Sequence, residues 1–203
     1  MQARLIRRVS FWGTAGIYAQ GGKRVFDLCC VSATAPIWVP LICVLWFVSW
    51  LEARQGLYQD HRVGQNGRAF KCLKIRTMVR GTSRQCAAYK RCDDVRITRV
   101  GRILRRSSLD ELPQLICVLK GEMSLVGPRP VPAGELRRYG MSGARYLSVR
   151  PGLTGLWQVS GRNALPYKTR VALDVRYASD ISLKGDLAIF LATCREVWRM
   201  SGR

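Results

Sequence analysis

Acidic residues are scarce in this chain: 13 Asp and Glu stand against 34 Lys and Arg, a formal net charge of +21 over 203 residues. Such an excess points to an anionic partner, whether nucleic acid, an anionic lipid surface or a phosphorylated substrate. Histidine is scarcer still. His61 is the only one, so no convincing Ser–His or Cys–His unit can be built. No CxxC pair occurs among the 8 cysteines, and with a single histidine this argues against a zinc site. The cysteines are scattered in a chain that is not small, which argues against a disulfide framework. They read as reduced thiols in a cytoplasmic setting, and those in or beside apolar runs as small hydrophobes. A Walker A sequence and a GxGxxG loop are both missing, so the standard nucleotide loops are absent. There is no internal repeat and no low-complexity tract. What is present in quantity is apolar: 48% of residues are hydrophobic, which excludes a disordered chain and allows one domain with a real core plus a membrane element.

The stretch Leu28–Leu51 carries no formal charge. As one helix it would reach about 36 Å, enough to cross the hydrocarbon core. It starts too late, runs too long and lacks the small-residue cleavage site of a signal peptide. Basic residues flank both ends: Arg4, Arg7, Arg8, Lys23 and Arg24 before it, Arg54, Arg62, Arg68, Lys71 and Lys74 after it. The positive-inside tendency asks both flanks to stay on the cytoplasmic side, which one straight span cannot satisfy. Pro36 removes a helical bond to the Ser32 carbonyl and crowds that turn, so a sharp bend is expected there. Ser32 and Thr34 are placed to re-satisfy freed backbone groups. The segment is therefore expected to enter, break near Pro36 and return on the same side. An ordinary kinked transmembrane helix is the alternative. Trp38, Trp46 and Trp50 suit an interfacial position and core packing equally.

Beyond this segment, Gly64-Gln65-Asn66-Gly67 signals a turn. Ala69–Met78 places Lys71, Lys74 and Arg76 at roughly alternate positions, which predicts a strand or extended piece with one basic face. Residues 79–94 are polar and lack periodicity, and read as loop or irregular helix. Leu109–Leu119 has a helical apolar pattern; Ser108 as N-cap with Glu111 would form a capping box, placing Pro113 in an early, tolerated turn. Gly127-Pro128-Arg129-Pro130 and Arg150-Pro151-Gly152 read as rigid loops. Asp186–Met200 aligns Leu187, Phe190, Leu191, Cys194, Val197 and Trp198 on one helical stripe, an amphipathic helix for the core or for a membrane surface. The sum is a helix-rich, irregular α/β unit.

Among so few acids, the adjacent Asp110 and Glu111 stand out, with Arg99, Arg102, Arg105, Arg106 and Lys120 close in sequence. Nearby cations favour the ionised carboxylate. An ionised carboxylate can attack phosphorus or hold a hard cation such as Mg2+. Arg and Lys can clamp phosphate oxygens through the charge spread of phosphoryl transfer. Arg129 between two prolines and Arg162 after Gly161 are preset for that role. Acids in a helix's first turn also satisfy the macrodipole without any chemistry. Asp93-Asp94 and Glu122 read more simply as solvated or salt-bridging groups.

Ser107-Ser108-Leu109-Asp110-Glu111-Leu112-Pro113-Gln114-Leu115 resembles the signature of the bacterial sugar transferase family, the monotopic phosphoglycosyl transferases that prime surface glycans on polyprenol phosphate. Other blocks follow the family order. Lys23-Arg24-Val25-Phe26-Asp27 resembles the motif ahead of the re-entrant helix, and Ala35-Pro36 sits where that helix breaks. Arg62-Val63-Gly64, Phe70–Met78, Asp94–Gly101, Met123–Pro130 and Arg150–Asn163 complete the series. The resemblance spans roughly residues 22–199. It implies a ping-pong reaction in which Asp110 attacks the phosphate next to the sugar of a UDP-sugar and UMP leaves. Polyprenol (undecaprenyl) phosphate then takes the phosphosugar from the aspartyl intermediate. It further implies Glu111 as helper or, with Asp110, as Mg2+ ligand, and Lys74, Arg105, Arg129 and Arg162 as phosphate-binding residues. Pro36 is the membrane break.

The organisation so implied is a short basic segment (1–22), a re-entrant membrane helix (23–52) and a cytoplasmic catalytic domain (53–203) at the inner membrane of a bacterium. Two departures stand out: only residues 1–22 precede the core, where many members carry a multi-helix domain, and Ala35 and Asp60 replace the commoner Ser and Gln or His. The Arg150–Arg162 block and Arg170–Tyr177 resemble exopolysaccharide-priming members that use hexoses, favouring galactose or glucose. No nucleic-acid-reading module accompanies the charge. A scaffold that recruits other membrane enzymes remains the third reading. Oligomeric state leaves no visible mark in the sequence.

Overall fold

The computed structural model describes residues 15–54, 56–79 and 96–198. The uncharged segment forms two helices, α1 (Lys23–Ala33) and α2 (Ala35–Ala53), separated at Thr34. A short helical turn, Ala15–Ile17, and a π-helical turn, Tyr18–Gly22, lead into α1. Pro36 lies in the first turn of α2, where its missing N–H is tolerated. The break is held from both sides. Thr34 Oγ1 donates to the carbonyls of Cys30 (2.7 Å) and Val31 (3.3 Å), and the Trp38 indole N–H folds back onto Val31 O at 2.9 Å. Thr34 Oγ1 thus reaches the carbonyls of Cys30 and Val31 and not that of Ser32, the one expected to be freed. Trp38 is buried, whereas Trp46 and Trp50 are exposed.

Both ends of this helix pair rest on the same body. Lys23 Nζ donates to buried Asp186, which also takes the hydroxyls of Tyr18 (2.7 Å) and Tyr177 (2.8 Å). Arg24 donates to the last-turn carbonyls Val118 and Leu119, closing that helix end as cations do. Asp27 accepts from Ser124 Oγ (2.6 Å) and the Leu125 amide (3.2 Å). At the far end, Ser49 donates to Arg76 O, and Glu52 accepts the amides of Arg99 (2.8 Å) and Val100 (3.1 Å).

Strands β1 (Leu57–Val63) and β2 (Ala69–Ile75) form an antiparallel hairpin around the turn Gln65–Gly67, with Asn66 and Gly67 at positive φ. The alternation corrects the expected single basic face. Lys71 is exposed, while Lys74 shares its side of the strand with buried Phe70 and Cys72, because neighbours two apart share a face. After the segment 80–95, which lies outside the described residues and includes Asp93-Asp94, helix α3 (Arg99–Ser107) starts at the N-cap Thr98.

The expected single helix over Leu109–Leu119 is two pieces: a 3-10 turn at Leu109–Glu111 and helix α4 (Gln114–Lys120). Ser108 adopts positive φ and ends α3, and its side chain caps nothing, so the capping box is absent. Pro113 is the N-cap of α4 rather than an interior residue. The apolar spacing could not reveal this, because a 3-10 turn followed by a helix presents the same buried positions.

β3 (Ser124–Val126) pairs parallel with β4 (Gly152–Thr154). The two loops cross so closely that a Cβ on Gly152 would lie 2.0 Å from the Gly127 backbone nitrogen. Short helices α5 (Ala133–Leu136), α6 (Gly143–Leu147) and α7 (Leu156–Val159) precede α8 (Tyr167–Ser179) and α9 (Leu183–Trp198). One core joins Val31 and Trp38 of the helix pair to Phe70, Val118, Met123 and Ile189. Among the described residues one helical stretch, Ala35–Glu52, is long and apolar enough to cross a membrane. Its Ile37, Val44, Phe47 and Leu51 are exposed, as are Leu187, Phe190, Leu191 and Trp198 on the stripe of α9.

Candidate active site

Asp110 and Glu111 occupy the 3-10 turn between α3 and α4. The left-handed backbone of Ser108 turns the chain sharply, so that two successive acids face inward at the start of α4. Asp110 is 9% exposed. Glu111 Oε1 accepts from Lys74 Nζ at 2.7 Å and from Arg129 Nη2 at 3.4 Å, with the Lys74 and Glu111 side chains 14% and 15% exposed. This is a partly buried, charge-assisted cluster, not a surface ion pair of little weight. Burial opposes the charge on Arg129; the facing Glu111 carboxylate more than offsets this and raises its pKa, with help from Asp110.

Glu111, Lys74 and Arg129 line a small recess with Arg62, Cys72, Gln114, Pro130 and Leu153; Asp110 is not in that lining but lies near enough for its charge to act on Arg129. Arg62 pairs with Asp60 and donates to Pro130 O at 3.2 Å. Lys74 and Arg129 on Glu111, with the Asp60-paired Arg62 in the same lining, leave the recess electropositive and matched to phosphate oxygens. Cys72 is nearly fully buried and burial pushes its thiol up to about 11, so it is a packing group rather than a nucleophile.

Of the residues singled out from sequence, Asp110, Glu111, Lys74 and Arg129 come together. Arg105 points its Nε to Thr77 Oγ1 at 2.8 Å, on the β2 side of α3. Arg162 does not line the recess: its Nε donates to Gln158 O at 3.2 Å and lies 3.9 Å from Glu196 on α9. Arg62 and Gln114 were not identified as site residues from sequence. The hairpin register carries the signal for Arg62, because Arg62 pairs with Phe70 and Asp60 with Cys72, which puts all four on the face of Lys74. Among the described residues no group of three or more potential metal ligands exists.

The sequence model described as bacterial sugar transferase matches residues 18–200. The exopolysaccharide production protein ExoY of Sinorhizobium fredii is 44% identical over 198 residues, covering 89% of this chain and 88% of that protein. The UDP-glucose:undecaprenyl-phosphate glucose-1-phosphate transferase of Caulobacter vibrioides is 41% identical over 182 residues, 84% of this chain and 67% of that protein. The undecaprenyl-phosphate galactose phosphotransferase of Salmonella typhimurium is 43% identical over 195 residues; the match covers 89% of this chain and 41% of that protein. The chain therefore spans about two-fifths of the length of this last relative and nearly all of the first. With the match running from the lead-in turn through α9, the chain belongs to the bacterial sugar transferase family.

Proposed function

We propose that this protein transfers a hexose 1-phosphate, galactose or glucose, from a UDP-sugar to polyprenol (undecaprenyl) phosphate, as a step that primes exopolysaccharide or another surface glycan. The observation that carries this reading is a buried Asp110 beside a Glu111 held by Lys74 and Arg129 in an electropositive recess. The names of the relatives support the acceptor and the two hexoses. An oxygen of the Asp110 carboxylate attacks the phosphorus next to the sugar. The bond from that phosphorus to the bridging oxygen breaks, and UMP leaves with the electron pair. An oxygen of the acceptor phosphate then attacks the same phosphorus and Asp110 departs, which regenerates the carboxylate. Lys74 and Arg129 hold phosphate oxygens through both steps; Glu111 keeps these two cations in place and assists the acceptor.

Two adjacent carboxylates suit Mg2+, which takes one or two carboxylates and completes its shell with water and substrate phosphates. Asp110 and Glu111 are the residues that would hold it. When bound it supplies charge neutralisation on the diphosphate.

The acceptor's lipid tail requires a membrane face. Docking of Lys23, Arg24 and Asp27 at one end, and of Ser49 and Glu52 at the other, on a single body supports a re-entrant helix pair over a straight span. The charge on both flanks supports a cytoplasmic-side position for that body at the inner membrane.

The test is Asp110→Asn in the full chain, in membranes supplied with UDP-galactose or UDP-glucose and undecaprenyl phosphate. UMP release is expected to fall at least about 1,000-fold, and a labelled sugar phosphate is expected to be trapped on Asp110 of the unsubstituted protein when acceptor is withheld. Normal release by the variant, or an adduct on another residue, refutes the assignment.

A further inference from the structure

Arg129 is flanked by Pro128 and Pro130, and neither proline has an N–H to give. The peptide carrying the phosphate clamp therefore cannot be fixed by its neighbours' backbone donors. A side chain from another element does it. The Tyr146 hydroxyl of α6 donates to Arg129 O at 3.0 Å and accepts from the Val131 amide at 3.1 Å, bridging the chain across Pro130. Tyr146 is 2% exposed. Burial raises its pKa, which keeps the phenol protonated as the donor this bridge needs.

Tyr146 is itself positioned. Its ring lies against that of Tyr139, centroids 4.6 Å apart, and the Tyr139 hydroxyl donates to Asp174 Oδ2 on α8 at 2.8 Å. Tyr139, Tyr146 and Asp174 are all buried and none of them lines the recess. From the other side, Arg62 holds Pro130 O and the Val63 amide donates to Val131 O at 2.9 Å.

We propose that Tyr146 is a positioning residue for the transfer reaction: its hydroxyl, set by Tyr139 and Asp174, fixes the Arg129 peptide so that the guanidinium meets the donor phosphate. This rests on the reading of Arg129 as a phosphate-binding residue. A displacement of about 1 Å in such a group costs up to about 100-fold in rate.

The experiment is a double-mutant cycle on the full chain, with kcat and KM for UMP release from UDP-galactose or UDP-glucose with undecaprenyl phosphate. Tyr146→Phe keeps the ring and removes the bridge. It is expected to lower kcat about tenfold or more in the native background, with a smaller change in KM, and by less than about twofold in an Arg129→Ala background, where no guanidinium is left to misplace. The loss in thermal midpoint is expected to be the same in both backgrounds. Equal fold-losses of kcat in the two backgrounds overturn the proposal and leave Arg129 in its role. Normal turnover by Arg129→Ala alone overturns both. Should Tyr146→Phe fail to accumulate, Tyr139→Phe takes its place in the same cycle with a smaller expected loss.

Discussion

Asp174 is almost completely buried, and its Oδ2 accepts from the Tyr139 hydroxyl. Burial pushes its carboxyl up to about 7, against the pull of the Tyr139 hydroxyl and of the Arg129 amide and charge. In the unfolded chain the same group titrates near its ordinary value of 3.8. Between those values the folded protein keeps a proton that the unfolded chain has lost. This contribution to stability is therefore fully present below about pH 4, declines as pH rises and is gone above about pH 7. Its upper bound is roughly 4 kcal/mol. Asp174→Asn is expected to flatten that decline in urea unfolding followed from pH 4 to 8; an identical slope in the variant would rule the carboxyl out as its source. At this scale the sequence was legible where a residue type was rare. Asp110 and Glu111 stood out because acids are few. Tyr146, Tyr139 and Asp174 are ordinary residues whose meaning lies in which backbone groups they reach, and no spacing reports that.

The elements repeat the pattern. Helical periodicity located α9, and the turn residues with the alternation after them located the turn and second strand of the hairpin but not β1. Leu109–Leu119 has the apolar positions of a continuous helix, whereas Pro113 and the positive φ of Ser108 set a 3-10 turn apart from α4. That division matters chemically, since it leaves Asp110 and Glu111 on a turn, with Glu111 in the lining of the recess and Asp110 next to it. The crossing of β3 and β4 was legible only as two proline–glycine loops. Their contact makes a firm prediction. An added Cβ at Gly152 meets the Gly127 nitrogen at 2.0 Å and the Thr154 carbonyl at 2.4 Å, backbone atoms that cannot swing away. Gly152→Ala is expected to destabilise by at least about 3 kcal/mol, read as a drop in thermal midpoint. Gly134→Ala meets nothing within 4 Å in α5 and is expected to be neutral or slightly stabilising. Comparable losses in the two variants would contradict the close crossing.

For the molecule as a whole, the flanking charge and Pro36 led to the expectation that the apolar segment breaks and that its ends stay together. The fold divides the segment at Thr34 and hydrogen-bonds both of its ends to one body, although no pattern in the sequence named Asp186, Ser124 or the α3 amides as the docking points; a re-entrant path through the bilayer stays a proposal. With the native cysteines replaced, single cysteines at Gln20 and Asn66, both exposed and on opposite flanks of the helix pair, are expected to react with an impermeant thiol reagent only when the cytoplasmic side is opened. Labelling of one from outside intact cells would exclude the re-entrant topology.

Glu52 gives its carboxylate to the first amides of the helix that leads into Asp110, while Lys23 neutralises an aspartate sealed inside the core. A fragment begun after Ala53 would leave that aspartate uncompensated and the α3 amides uncapped, and would open the core where Val31 and Trp38 had closed it. Truncation at that point is therefore expected to unfold the remainder rather than release it as a folded domain. The apolar helix pair is part of the packed core, and any preparation of this protein has to keep it.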